Sequence, residues 1–283
     1  MAVCAFAADL RIDHVSVAGR DLKALQAALM RQGIASEYGG RHSNHATEMA
    51  ITAFADGSYL ELIAIQPDAD PKAVAAHDWA KQLQGDAGPA AWAVRLNDIN
   101  AERARLNRAH IPVSDPENSG RARPDGVRLE WETAQVGNES RGTFFPFLIR
   151  DFTPREIRAF PSGKPTMASL RGFTRVVIAT KDLKASIARF RAAYDWPAPI
   201  EMDDAAFGAR VAVFAGSPVT LAAPLEAKSW IAERVSRFGD GPCAYVIGSA
   251  GKDQFKIAAK SRWAGAEIGW LDSKALGWRL GIE

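Results

Sequence analysis

Two stretches of the chain read almost alike. LRIDHVSVAGRDLKA at residues 10–24 matches LRGFTRVVIATKDLKA at 170–185 with one insertion. Asp21-Leu22-Lys23-Ala24 falls on Asp182-Leu183-Lys184-Ala185 at an offset of 161, and Gly57-Ser58 falls on Gly216-Ser217 at 159. GPAAWAV, beginning at Gly88, falls on GPCAYVI, beginning at Gly241, at 153. Matches kept in order along two halves mean that the halves share one architecture, and the falling offsets make the second half shorter. A chain of 283 residues is long enough for two ordinary domains built to that plan.

The plan is clearest in Leu10 to Ile65. In LRIDHVSVAG, period-two alternation puts Ile12, His14, Ser16 and Ala18 on one strand face and Asp13, Val15 and Val17 on the other. In SYLELIAI, Tyr59, Glu61, Ile63 and Ile65 share a face. Between these strands, Asp21 is a fitting N-cap for a helix with Leu22, Leu25 and Leu29 on one side, and Gly33 can end it. Further strands are expected around residues 36–39 and 47–54. His14 and Glu61 interrupt runs that are otherwise apolar. Such groups are costly unless paired, ligated or kept wet at the mouth of a cup, and the residues leave those alternatives open.

The order strand, helix, strand, strand, strand, with polar residues in its first and last strands, resembles the vicinal oxygen chelate superfamily of glyoxalase-like proteins. The fold that this implies is α+β, with four βαβββ modules in two pairs, each pair forming a curled mixed sheet. The resemblance gives His14 in IDHVSV and Glu61 in YLELIA the positions of metal ligands. GRARPDGVRLEW and PFLIRDFTPRE are similar to the glyoxalase-like branch found in many bacterial proteins.

Boundaries follow. Residues 1–9 are an N-terminal extension. Residues 10–152 form a first glyoxalase-like domain with modules 10–65 and 88–152, and 153–169 form a linker rich in proline and alternating charge. Residues 170–283 form a second, degenerate domain with modules 170–223 and 241–283. Within 88–152, Asp98 is an expected N-cap, 111–126 a loop with three prolines, VRLEWETAQV an alternating strand, and TFFPFLIRDF a buried one.

The repeat tests the ligand idea. Position 14 maps to Arg175 and position 61 to Thr220, so the second half has lost the pair. In the second module the counterpart of His14 is Ala91, and Asp151 is the nearest carboxylate to the other position. Divalent sites usually need three protein donors or more. GRHSNHATEM, on the next strand, offers His45 as a third ligand, with His42 and Glu48 as further donors, and Glu48 is a candidate base. The metal would be Fe, Mn, Zn or Ni, and its Lewis acidity would serve an isomerase, lyase or dioxygenase acting on neighbouring oxygens. Trp92, Arg123 and Trp131 are the candidate substrate contacts, with Arg121 and Arg128 as further cations and Phe144 and Phe145 as further walls. His77 and His110 read as surface residues.

The alternative is a non-catalytic protein that binds or sequesters a small molecule in the same cup. A net charge of +2 argues against a nucleic-acid partner, and no apolar run approaches the ~20 residues that span a bilayer. Cys4 and Cys243 make no disulfide framework, and Cys243 reads as a buried small hydrophobe. No GxGxxG, P-loop, GxSxG, HExxH or CxxC is present. The expected location is cytoplasmic, or periplasmic if MAVCAFAADL is the remnant of a signal peptide. A homodimer through exposed sheet edges fits the fold.

Overall fold

The computed structural model describes residues 10–251 and 254–283. The N-terminal extension, Cys4 and the question of a signal-peptide remnant lie outside the described residues. The first half runs β1 (Ile12–Gly19), α1 (Leu22–Met30), β2 (Glu37–Arg41), β3 (Thr47–Ala53), β4 (Tyr59–Ile65), α2 (Pro71–Ala76), α3 (Ala80–Gln84), β5 (Gly88–Arg95), α4 (Ile99–Arg108), β6 (Glu117–Ala122), β7 (Arg128–Ala134), β8 (Phe147–Asp151) and α5 (Arg155–Ala159). The second half runs β9 (Leu170–Ala179), α6 (Leu183–Tyr194), β10 (Ile200–Asp204), β11 (Ala209–Val213), β12 (Val219–Pro224), α7 (Trp230–Phe238), β13 (Gly241–Ser249), β14 (Ala259–Trp263), β15 (Ala266–Trp270), α8 (Ser273–Leu276) and β16 (Arg279–Ile282).

Each half is an eight-stranded mixed sheet. The orders are β2-β3-β4-β1-β5-β8-β7-β6 and β10-β11-β12-β9-β13-β16-β15-β14, one pattern repeated. In the first sheet β1 runs parallel to β4 and antiparallel to β5, which seams two βαβββ modules side by side. The repeat read from sequence is a repeat of register. Val15 sits opposite Leu60 in one sheet, and Val176 opposite Val219 in the other. Asp21, Asp98 and Asp182 each cap a helix by accepting a backbone N–H three residues on, which satisfies one of the helix's free donors.

Two expectations are corrected. Residues 117–122, expected within a loop, form the edge strand β6, whose side chains are polar because one face meets water and the other a cavity. The expected linker 153–169 contains α5, and its arginines reach into the first sheet.

The strand faces divide cleanly. Val15 and Val17 of β1, Leu60 and Leu62 of β4, and Trp92 of β5 enter a core shared with Val176, Phe190 and Tyr245 of the second half. One continuous core thus joins the halves back to back. The buried Tyr245 hydroxyl lies 2.9 Å from the carbonyl oxygens of both Ser16 and Ala91. Those carbonyls sit where the β1–β5 register slips, between Ser16 and Val17. An earlier slip, between Ile12 and His14, turns Ile12 into this core, away from the face that strict alternation gave it.

The opposite face of each sheet is concave. In the second half it is filled by Phe207, Trp263 and Trp270 together with Ile231 and Val235 of α7. In the first half β5 contributes only alanines to the corresponding cluster, Ala90, Ala91 and Ala93, and the concavity stays open.

Candidate functional site

The open concavity is a cavity of about 470 Å³, a size that suits a small organic ligand. His14, Tyr59, Glu61, His42, Arg121, Trp131, Phe147 and Arg158 are among its lining residues.

Its floor is set by a carboxylate. Asp13 is fully buried, and its Oδ1 lies 2.6 Å from Nδ1 of its neighbour His14. Its Oδ2 accepts from Arg155 at 2.5 Å and from Arg158 at 2.6 Å. Burial opposes the charge, but Arg158 and Arg155 outweigh it and hold the Asp13 carboxyl well below its ordinary value. An ionised carboxylate can only accept, so His14 Nδ1 is the donor, which in the neutral imidazole makes Nε2 the acceptor. The imidazole stacks on Tyr59, with ring centroids 4.8 Å apart and planes within 3°, and meets Phe147 edge-on at 5.3 Å. Its ring is fixed on two sides, and among the described residues no hydrogen bond reaches Nε2.

Arg158, only 3% exposed, ties this floor together. It donates to Asp13, to Asp151 and, at 2.8 Å, to the Tyr59 hydroxyl. Burial pushes the Tyr59 phenol up, so it is un-ionised at neutral pH. Asp151, the second-module carboxylate singled out from sequence, is therefore occupied by arginine.

Glu61 stands two residues along from Tyr59 on the same face of β4, beside Ser16 of β1. Ser16 Oγ donates to Glu61 Oε2 at 2.7 Å, while Oε1 is 3.9 Å from His42 Nε2. The geometry of neighbouring strands puts the Cα atoms of His14 and Glu61 roughly 8 Å apart on the diagonal. His42 is held by Thr47, with Nδ1 and Oγ1 2.8 Å apart. Burial lowers its pKa despite the pull of Glu61, so its ring is neutral at neutral pH.

Of the residues picked from sequence, His14, His42, Glu61, Arg121 and Trp131 line this cavity, while His45, Glu48, Trp92, Arg123, Arg128, Phe144 and Phe145 do not. His45 is exposed at a left-handed turn with φ 56°, outside the lining. Glu48 alternates with Met49, which lines the cavity, and instead accepts from the Tyr38 hydroxyl at 3.0 Å. Trp92 is fully buried on the core face, its indole N–H bonded to the Phe144 carbonyl at 3.1 Å. Phe144 and Phe145 are core as well. Arg123 pairs with Asp125 at 2.7 Å in a neighbouring groove, and Arg128 pairs with Glu130 at the surface. His77, read as a surface residue, lines the cavity at the end of α2.

Three contributors were missed. Asp13 is an ionisable residue in an apolar strand, the signal that drew attention to His14. Arg155 and Arg158 lie one helical turn apart after a proline, the spacing of one helix face. Arg121 was named as a further cation but its strand was not, although the turn RPDG before VRLEW calls for a partner strand on its other side.

Among the described residues no group of three His, Cys, Asp or Glu side chains is arranged to hold a metal ion. His14 and Glu61 share the cavity with His42, but no three of these donors are arranged around one point, so this set does not fit a divalent ion held by three protein ligands. In the second half the corresponding positions are structural: Arg175 is paired with Glu283 at 3.2 Å, and Thr220 is fully buried.

A duplicated pair of βαβββ modules curled round a cup defines a vicinal oxygen chelate protein. The chain belongs to the glyoxalase-like domain family, whose model matches residues 12–192. Among solved structures it is similar to a hypothetical protein from Staphylococcus aureus, with 14% identity, TM-score 0.66, and 97% of this chain and 99% of that one covered. A triple mutant of 4-hydroxymandelate synthase from Streptomyces coelicolor is similar at 12% identity and TM-score 0.60, covering 97% of this chain and 91% of that one. Methylmalonyl-CoA epimerase from Mycobacterium tuberculosis matches at 20% identity and TM-score 0.36, over 40% of this chain and 87% of that one. No curated protein matches the sequence. Identities this low speak to the fold alone. No helix among the described residues is long and apolar enough to cross a membrane.

Proposed function

We propose that the chain is an enzyme of vicinal-oxygen-chelate type, an isomerase or lyase, that moves a proton on a small molecule held in the first-half cup. The observation that carries this reading is the open cup itself. It keeps a carboxylate, Glu61, and an imidazole whose basic nitrogen is set by Asp13, on one face. Glu61 is the group that takes or returns the proton, with Ser16 fixing its orientation. His14 Nε2 accepts a hydrogen bond from a substrate hydroxyl or exchanges the second proton. No step is assigned to a metal, because the donor set does not fit one.

Solvent deuterium incorporation next to the carbonyl of a panel of 2-oxo acids and thioesters, followed by NMR, tests this. The wild-type protein is expected to catalyse exchange in at least one member, and Glu61→Gln to slow it by about 10²–10⁴-fold. Exchange unaffected by Glu61→Gln would sink the assignment. Metal analysis of protein purified without chelator supplies a second arm. Stoichiometric Fe, Mn, Zn or Ni that is lost in His14→Ala would replace the metal-free reading with a metal-dependent one.

The incomplete donor set also favours a second reading, a non-catalytic protein that sequesters the same small molecule. Ligand-induced thermal stabilisation without any exchange is the result expected of it.

A further inference from the structure

Arg121 is 8% exposed, and among the described residues no carboxylate lies within ion-pair distance of it. One of its donors, Nη1, gives a 2.7 Å bond to the Gly39 carbonyl. Among the described residues the remaining N–H groups have no hydrogen-bond partner. Its charged neighbours do not share this state: Arg158 is neutralised by Asp13 and Asp151, and Arg123 by Asp125. The other buried charges, Asp13 and Glu132, are closely paired too. Glu61, across the same cavity, accepts from Ser16 Oγ, and among the described residues its one contact with an ionisable group is the long one to His42. The cup thus holds one buried cation and one buried anion that do not touch. A buried charge without a counter-ion is costly unless a ligand supplies one.

A seam role does not account for this choice. The Arg121–Gly39 bond does join the two edge strands, β6 and β2, across the mouth of the curled sheet. In the second half the same junction, β14 to β10, is closed by Trp263, whose indole N–H donates to Asp204 at 2.7 Å. That apolar residue closes the seam and fills the cup. The first half sets a guanidinium there and leaves the cup open.

We propose that Arg121 anchors the carboxylate of a small monoanionic ligand, whose apolar body lies against Trp131 and Phe147 and whose reactive end faces Glu61. The proposal rests on the reading that the first cup is the ligand site. A guanidinium gives a carboxylate two parallel hydrogen bonds, which fixes the orientation of the body relative to Glu61.

The test uses phenylacetate and its neutral isostere phenylacetamide, titrated against the full chain by calorimetry at constant ionic strength. Wild type is expected to bind phenylacetate about 10-fold or more tightly than the amide. Arg121→Met is expected to bring that ratio to about one, and Arg121→Lys to restore part of it. A ratio near one in wild type, failure of phenylacetate to bind, or an unchanged ratio in a folded Arg121→Met protein would each overturn the proposal. The last result would leave Arg121 as a seam residue only. Ile149→Trp, which fills the cup from β8, separates the two readings. It should abolish binding of both probes. Binding that keeps its carboxylate preference in the filled protein would put the anion outside the cup and sink the site reading itself.

Discussion

Arg158→Ala should destabilise the protein by about 3–5 kcal/mol at neutral pH, the loss typical of breaking a buried ion pair from one side. Asp13 is fully buried and Arg158 nearly so, and the change leaves Asp13 facing only Arg155 and His14. Asp151 and the Tyr59 hydroxyl lose a donor at the same stroke. Arg158→Lys should recover only part, because one ammonium cannot span three acceptors held in different directions. Denaturant midpoints at unchanged slope give the measurement, and a loss under about 1 kcal/mol would mean that the network does not hold the floor. The pH dependence has a definite sign. The folded Asp13 pKa lies below the unfolded one, so its contribution is full above about pH 4 and is lost as pH falls through the folded value. Without Arg158 the folded value rises. The gap between wild type and variant should therefore be widest near neutrality and narrow toward pH 3. The lowered His42 pKa acts in the same direction over a higher window, its contribution complete above about pH 6.5 and declining below.

That network also explains how much of the site the sequence disclosed. The duplication, the strand order and the shared face of His14 and Glu61 follow from period-two alternation and from matched turns, which are local properties. Trp92 was misplaced because a large aromatic suits either face of a sheet buried on both sides. Its neighbours Ala91 and Ala93 show in retrospect which face had to leave room. His45 and Glu48 were drawn in by proximity along the chain, but a left-handed turn and one step of strand parity carry them away. Arg158 was hidden for the opposite reason. It is distant in sequence from Asp13, and nothing local reveals a partner 145 residues away. Arg121 lies in a polar edge strand, where composition reads as loop.

Trp263→Ala should cost about 3–5 kcal/mol, and it tests why only one half kept a cup. Trp263 is fully buried, edge-on to Phe207 at 5.1 Å and tilted on Trp270 at 5.5 Å. Its removal opens an indole-sized void and leaves Asp204 Oδ2 without its donor, while Oδ1 keeps the Phe207 N–H. A void lined by Phe207, Trp270 and Ile231 is apolar, and such voids take up apolar guests. Added indole should restore stability with its concentration by mass action, about 2.7 kcal/mol at a hundredfold excess over its dissociation constant. Thermal melts at rising indole should show this in the variant and not in wild type. The same variant should bind phenylacetate in the first cup as wild type does, because the shared core that joins the halves lies on the far face of both sheets. A coupled loss of first-cup binding would instead mean that the filled half acts on the open one, through the Tyr245 hydroxyl that reaches the backbone of Ser16, the residue whose side chain orients Glu61.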